Sequence, residues 1–175
     1  GEKQLLIPSP KVSTYNLQPE MSAAEVSNSV LNAMKQQHFG FIVVNFANGD
    51  MVGHTADWFA TLKAVEALDN AAADLLDAAT ELGYSAILTA DHGNCEELID
   101  TRSGGPHTQH TCNPVPCLII DELHWQLSSQ AGLSSIAPTV LQLMGIAQPG
   151  EMTGKSLLLH GQAREQQRDA MPGAA

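Results

Sequence analysis

Positive charge is scarce in this sequence: 8 Lys+Arg stand against 19 Asp+Glu over 175 residues, a formal net charge of -11. That sign repels a phosphate backbone and excludes an electrostatically driven nucleic-acid binder. It also repels an anionic membrane surface. Charged residues make up only 15% and apolar residues 43%, which excludes a charge-driven disordered chain. Long apolar runs are missing. Phe41-Ile42-Val43-Val44 is typical of the longest, far below the ~20 residues of a membrane span. No basic stretch followed by an apolar one opens the chain, so no secretory signal is expected. Cysteine is sparse too: Cys95, Cys112 and Cys117 are an odd set without framework spacing. They are expected to be reduced thiols of a cytoplasmic protein. The length suits one domain. The sequence begins at Gly1 without an initiator Met, which leaves two readings, a removed tag or a piece of a longer chain.

What is present alternates between strand and helix patterns. Residues 4–7 read as a strand stopped by Pro8-Ser9-Pro10. Ser22-Ala23-Ala24-Glu25 has the form of a capping box. It predicts a helix to about Gln37 with Val26, Val30, Leu31 and Met34 on one face. Residues 41–46 are β-branched and aromatic and predict a strand buried on both faces, ended by Asn48-Gly49. Residues 56–82 lack Pro and Gly and predict a long helix capped by Gly83. Residues 85–89 and 115–120 predict two further strands, the second at an edge or a start because of Pro116. A helix capped by Ser134 or Ser135 holds Pro138 in its first turn and stops at Gly145. The expectation is an α/β three-layer sandwich, a mostly parallel sheet with helices on both faces, over residues 1–160. Residues 161–175 are expected to be a weakly ordered tail.

The acidic and histidine residues fall near predicted strand ends. Asp50 and His54 follow 41–46 at i and i+4, and Asp91-His92 follow 85–89 directly. Ligands of open α/β sheets sit beyond the carboxyl ends of the strands. His107 and His110 lie in a Gly/Pro-containing loop ahead of 115–120 and reach the same rim if that loop folds back. Imidazoles and carboxylates are the ligand set of zinc, manganese or iron. Several such residues at three places point to more than one ion, and paired divalent ions serve phosphoryl transfer. Each residue also has a plainer reading: Asp91 as the cap of a turn, His107 and His110 as ordinary loop histidines. His38, His124 and His160 have no such context and read as surface residues. Thr153-Gly154-Lys155-Ser156 ends like a phosphate-binding loop, but that motif needs Gly where Pro149 stands, so it reads as a turn. Cys95 reads as an inert, buried thiol.

Four runs carry a family resemblance: Asn48-Gly49-Asp50-Met51-Val52-Gly53-His54-Thr55, Thr89-Ala90-Asp91-His92-Gly93-Asn94, His107-Thr108-Gln109-His110-Thr111 and Asn113-Pro114-Val115-Pro116. Ile7-Pro8-Ser9-Pro10-Lys11-Val12, Leu17-Gln18-Pro19-Glu20-Met21-Ser22, Ile136-Ala137-Pro138-Thr139 and Glu151-Met152-Thr153-Gly154-Lys155-Ser156-Leu157 extend it over nearly the whole chain. The sequence closely resembles the cofactor-independent (2,3-bisphosphoglycerate-independent) phosphoglycerate mutase family. The resemblance implies an alkaline-phosphatase-like fold, here incomplete at its N-terminal side, and a cytoplasmic, glycolytic isomerase. The family interconverts 3-phosphoglycerate and 2-phosphoglycerate through a phosphoserine on a site of two divalent ions, with manganese as the implied metal. Carried over by motif, Asp50, His54 and His110 are the ligands of one ion, and Asp91 and His92 are ligands of the other. The family's serine motif and substrate-gripping arginines have no match here, so the resemblance implies a C-terminal portion that is inactive alone. Thr55-Ala56 departs from the family, which often carries Gly after this Thr. The full-length family enzyme is implied to be monomeric, whereas this chain is expected to self-associate through an exposed sheet edge. Two alternatives stay open: another alkaline-phosphatase-like phosphatase, sulfatase or phosphomutase, and a non-catalytic module that binds a partner through that edge.

Overall fold

A computed structural model describes residues 1–163. The chain divides into two compact units, Gly1–Leu118 and the part from Ile119 on. In the first unit, a single 3-10 turn at Tyr15–Leu17 precedes helix α1 (Ala23–Gln36), helix α2 (Asn48–Gly53), helix α3 (Trp58–Leu82) and strand β1 (Ala86–Thr89). Strand β2 (Cys117–Ile120) forms a two-stranded sheet with β1. In the second unit, strand β3 (Leu123–Leu127), helix α4 (Ile136–Leu143) and strand β4 (Leu158–Ala163) follow. The class is α/β. None of the described helices is long and apolar enough to cross a membrane.

α1 occupies the predicted span, with Ala23, Ser27 and Met34 buried at helical spacing. Its start differs from the expectation. Ser22 makes no side-chain cap, and its hydroxyl donates instead to the Pro8 carbonyl at 2.8 Å. The capping box is therefore replaced by a tie to the preceding segment. α3 also matches, and packs on both α1 and α2, with Ala60, Thr61 and Ala64 among its buried residues. Asp57 caps it by accepting from the Ala60 N–H at 3.1 Å and from Asn16 Nδ2 at 3.2 Å. The Ala60 bond first, then the Asn16 bond, hold its carboxyl below the usual range. Gly83 ends the helix at φ 74°, a left-handed conformation open to glycine without a side-chain penalty.

Two expected strands do not form ladders. Residues 4–7 and 41–46 pair with no described strand. Phe41 and Val43 remain 54% and 75% exposed, and Leu5 and Leu6 are exposed as well. A strand buried on both faces needs neighbours to take its N–H and C=O groups, and none runs beside either segment among the described residues. The described residues thus hold two two-stranded sheets in place of the expected larger one. β2 begins at Cys117, two residues later than expected, because Pro116 has no N–H to donate. Asn48-Gly49 opens a helix and does not merely end a strand.

The second unit contains an antiparallel pair that the sequence reading missed: β3 and β4 register from Leu123↔Ala163 to Leu127↔Leu158, with an irregularity at Gln126/Leu127. β4 takes in the first three residues of the expected tail. Residues 164–175 lie outside the described residues. α4 begins after a 3-10 turn at Leu133–Ser135 and is followed by Gly145 at φ 67°. Thr139 is fully buried; its hydroxyl donates to the Ser135 carbonyl at 2.7 Å and accepts from the Leu157 N–H at 2.9 Å. Gly154 lies against the Ser134 backbone so closely that a side chain would collide with its carbonyl. That close packing accounts for this glycine without any phosphate.

Ala56 sits at φ 51° in the turn between α2 and α3, a left-handed conformation that strains a residue with a Cβ. Ala56→Gly is expected to raise stability by about 1 kcal/mol. Denaturant unfolding at constant m-value checks this; an unchanged or lower midpoint contradicts it.

Candidate metal centre

α2 is one and a half turns long and is held at both ends. Asn48, 2% exposed, donates through Nδ2 to the Pro19 and Glu20 carbonyls at 2.9 and 2.8 Å. Val52 is fully buried and joins Met21, Ala60 and Ala64 in the core, with Tyr15 against them. Asp50 and His54 are each two residues from Val52, about 200° around a helix of 3.6 residues per turn. Burying Val52 therefore turns both to the opposite side, where their spacing of four makes them neighbours. His54 Nε2 lies 3.1 Å from Asp50 Oδ1.

The loop 107–111 brings a third group. His110 Nε2 lies 2.9 Å from Asp50 Oδ1 and 3.2 Å from His54 Nε2. His54 Nδ1 lies 2.7 Å from the Thr108 carbonyl, which only accepts. Nδ1 therefore donates to it, and Nε2 is the ring nitrogen that faces the other two. Asp50 Oδ1, His54 Nε2 and His110 Nε2 are thus three ligand-type atoms within 3.2 Å of one another. Such a convergence is relieved by a proton or a cation between them. Two imidazoles and a carboxylate match the donor preference of a divalent transition metal.

The segment after β1 adds His92. Its ring stacks on His110 with centroids 3.7 Å apart. Its Nε2 is 4.0 Å from Asp50 Oδ1 and 3.7 Å from Asp91 Oδ2. Asp50, His92 and His110 form a group whose ligand-type atoms all lie within 4.8 Å. His92 Nδ1 is buried without a hydrogen-bond partner among the described residues. The Asp91 side chain is 80% exposed beside it. All five sequence-nominated residues therefore occur in one locality, with Asp50 and His110 close to both neighbours. His107 has a different place: its Nδ1 lies 3.0 Å from the Glu97 carbonyl, anchoring the loop. His38, His124 and His160 are exposed.

Three residues around the centre escaped the sequence reading. Asn94, buried, donates from Nδ2 to Asp50 Oδ1 at 3.2 Å. Gly53 lies so close to Asn94 that a Cβ would collide with its amide oxygen. Glu96 accepts from the Asn94 N–H at 2.8 Å, from Asn113 Nδ2 at 3.0 Å and from the Thr111 hydroxyl. Thr108 orients His54 through its backbone. The available signal was the polar run after Asp91-His92, which carries Asn94 and Glu96 one helical turn or less beyond the histidine. Cys95 is half-buried and its Sγ donates to the Gly49 carbonyl at 2.9 Å. Burial first, then the charges of Glu96 and Asp50, push its thiol up.

Comparison with known proteins places this geometry among relatives. Residues 1–148 match the Metalloenzyme superfamily. The chain is 49% identical over 159 residues to a 2,3-bisphosphoglycerate-independent phosphoglycerate mutase of Pseudomonas paraeruginosa, covering 91% of this chain and 31% of that protein. It is 50% identical over 159 residues to the enzyme of that description from Pseudomonas putida, with the same coverage. A solved phosphoglycerate mutase of Leishmania mexicana, studied at low cobalt concentration, superposes with a TM-score of 0.79 at 33% identity, covering 87% of this chain and 31% of that one. The chain thus spans about a third of the length of these relatives.

Because its thiol is pushed up and bonded to a carbonyl, Cys95 is expected to be alkylated by iodoacetamide at pH 8 more slowly than free glutathione. Peptide mass spectrometry over a time course reads this; labelling at the glutathione rate contradicts it.

Proposed function

This chain belongs to the metalloenzyme superfamily, and from that premise we propose that it carries the metal-holding part of a phosphoglycerate mutase acting on 3-phosphoglycerate and 2-phosphoglycerate. The observation that carries the proposal is the convergence of Asp50 Oδ1, His54 Nε2 and His110 Nε2 within 3.2 Å of one another. In this reading Asp50, His54 and His110 hold one divalent ion, and Asp91 and His92 contribute to a second, with manganese as the resident metal. The fold to which this portion contributes is the alkaline-phosphatase-like three-layer sandwich with a mostly parallel sheet.

The chain's own residues orient the ligands. The Thr108 carbonyl keeps the His54 proton on Nδ1, so Nε2 stays available. Asn94 holds Asp50 Oδ1 on the same side. Divalent ions bound there supply positive charge to phosphoryl oxygens and favour an ionised hydroxyl nucleophile. With a net charge of -11, this chain is poorly suited to gripping an anionic phosphoglycerate without such cations. We assign the serine that accepts the phosphoryl group, and the arginines that hold the substrate, to polypeptide beyond these residues; this chain alone is then inactive as a mutase. The three free cysteines support a reducing, cytoplasmic setting.

Calorimetric titration with Mn²⁺ or Co²⁺ tests the centre. Wild type is expected to bind, Asp50→Ala to lose about tenfold or more in affinity, and Asp91→Ala to weaken a second equivalent selectively. No uptake by wild type, or equal uptake by Asp50→Ala, removes the metal reading.

We further propose self-association through segment 41–46, which pairs with no described strand and exposes Phe41 and Val43. Sedimentation is expected to show mass rising with concentration and falling back in Val43→Lys. A monomer at all concentrations discards this part.

A further inference from the structure

The geometry points to Glu96 as a positioning residue of the metal centre, a carboxylate clamp that sets the distance between His92 and His110. The inference rests on the metal reading above for its functional consequence.

His92 and His110 come from separate segments, and among the described residues their rings meet by stacking. What joins the segments is backbone. Gly93 and Thr111 form an isolated antiparallel bridge, with the Thr111 N–H donating to the Gly93 carbonyl at 2.9 Å. Each of these residues directly follows one of the two histidines. The same segments also meet farther from the rings, at the Ile99–Pro106 bridge and through the His107 N–H to the Leu98 carbonyl at 2.9 Å, so beside the two histidines this one bridge joins them.

Glu96 closes it. One oxygen, Oε2, accepts from the Asn94 N–H at 2.8 Å on the His92 side. The other, Oε1, accepts from the Thr111 hydroxyl and from Asn113 Nδ2, the latter at 3.0 Å, on the His110 side. The two oxygens of one rigid group thus span the two segments. Gly93 admits this close approach, since a Cβ there would collide with both Thr111 Oγ1 and Glu96 Oε1. All three partners are donors, so the position calls for a group that only accepts. The Thr111 hydroxyl bond is the largest influence holding this carboxyl below the usual range, as an ionised acceptor requires.

The chemistry selects the test. Glu96→Gln keeps the shape but sets an NH₂ against one of the donors. Thr111→Val removes one donor from the far side, and Thr111→Ser restores it. The first readout needs no metal: with centroids 3.7 Å apart, the His92 and His110 ring protons lie in each other's ring currents, visible by NMR. The second is Co²⁺ affinity and the visible Co²⁺ spectrum.

Glu96→Gln and Thr111→Val are expected to lose the mutual ring-current shifts, to alter the Co²⁺ spectrum and to weaken Co²⁺ binding by about 10–100-fold, while Thr111→Ser stays close to wild type. Unchanged ring-current shifts in both Glu96→Gln and Thr111→Val overturn the clamp, whatever the metal affinity. If wild type binds no Co²⁺, the metal reading fails by itself and the ring shifts still decide the clamp. If Glu96→Gln does not fold, Thr111→Val against Thr111→Ser decides it.

Discussion

The candidate centre depends on the insertion of Val52 into the core. α2 has only six residues, too few to persist by helix propensity alone. It persists because Val52 is buried between Met21, Ala60 and Ala64, and because Asn48 binds the carbonyls of Pro19 and Glu20. With those two anchors set, helix geometry leaves Asp50 and His54 together on the other side. Core packing and buried hydrogen bonds thus fix the helix that carries these two donor groups.

The remaining candidate ligands arrive on irregular chain, where precision has to be built from polar contacts. The segment after β1 and the loop 107–111 are joined by the Gly93–Thr111 bridge, by the Glu96 carboxylate and by His107 on the Glu97 carbonyl. Each bond is individually modest. Together they leave few independent ways for His92 and His110 to move. A loop rich in small and polar residues thus acts as a support for two rings, and two glycines serve it by admitting close approach.

Legibility in the sequence followed how local each feature is. α3 was readable because its signals, an uninterrupted helical pattern and Gly83 at its end, act within a few residues. α1 was readable for the same reason, but its cap was not: Ser22 prefers the Pro8 carbonyl, a partner fourteen residues away. Residues 41–46 carry every local mark of a strand, yet a strand is completed by its neighbours, and no described strand runs beside them. The β3–β4 pair was missed because its two partners are weakly patterned and far apart. At the centre, residue type and spacing exposed Asp50, His54, Asp91, His92 and His110. Asn94, Glu96 and the Thr108 carbonyl were hidden because they act through tertiary contacts or backbone, which no spacing rule reports.

By itself, then, the sequence determined the α/β class, the helices α1 and α3, and the donor chemistry of the centre, since these rest on side-chain type and short-range periodicity. Only the tertiary structure decided which donors meet. It buried Val52 so that Asp50 and His54 share a side, folded the loop 107–111 back so that His110 reaches both, and left His107 to anchor that loop. Distances of about 3 Å between residues up to sixty positions apart come from packing and hydrogen bonding between segments, and these have no signature in local order.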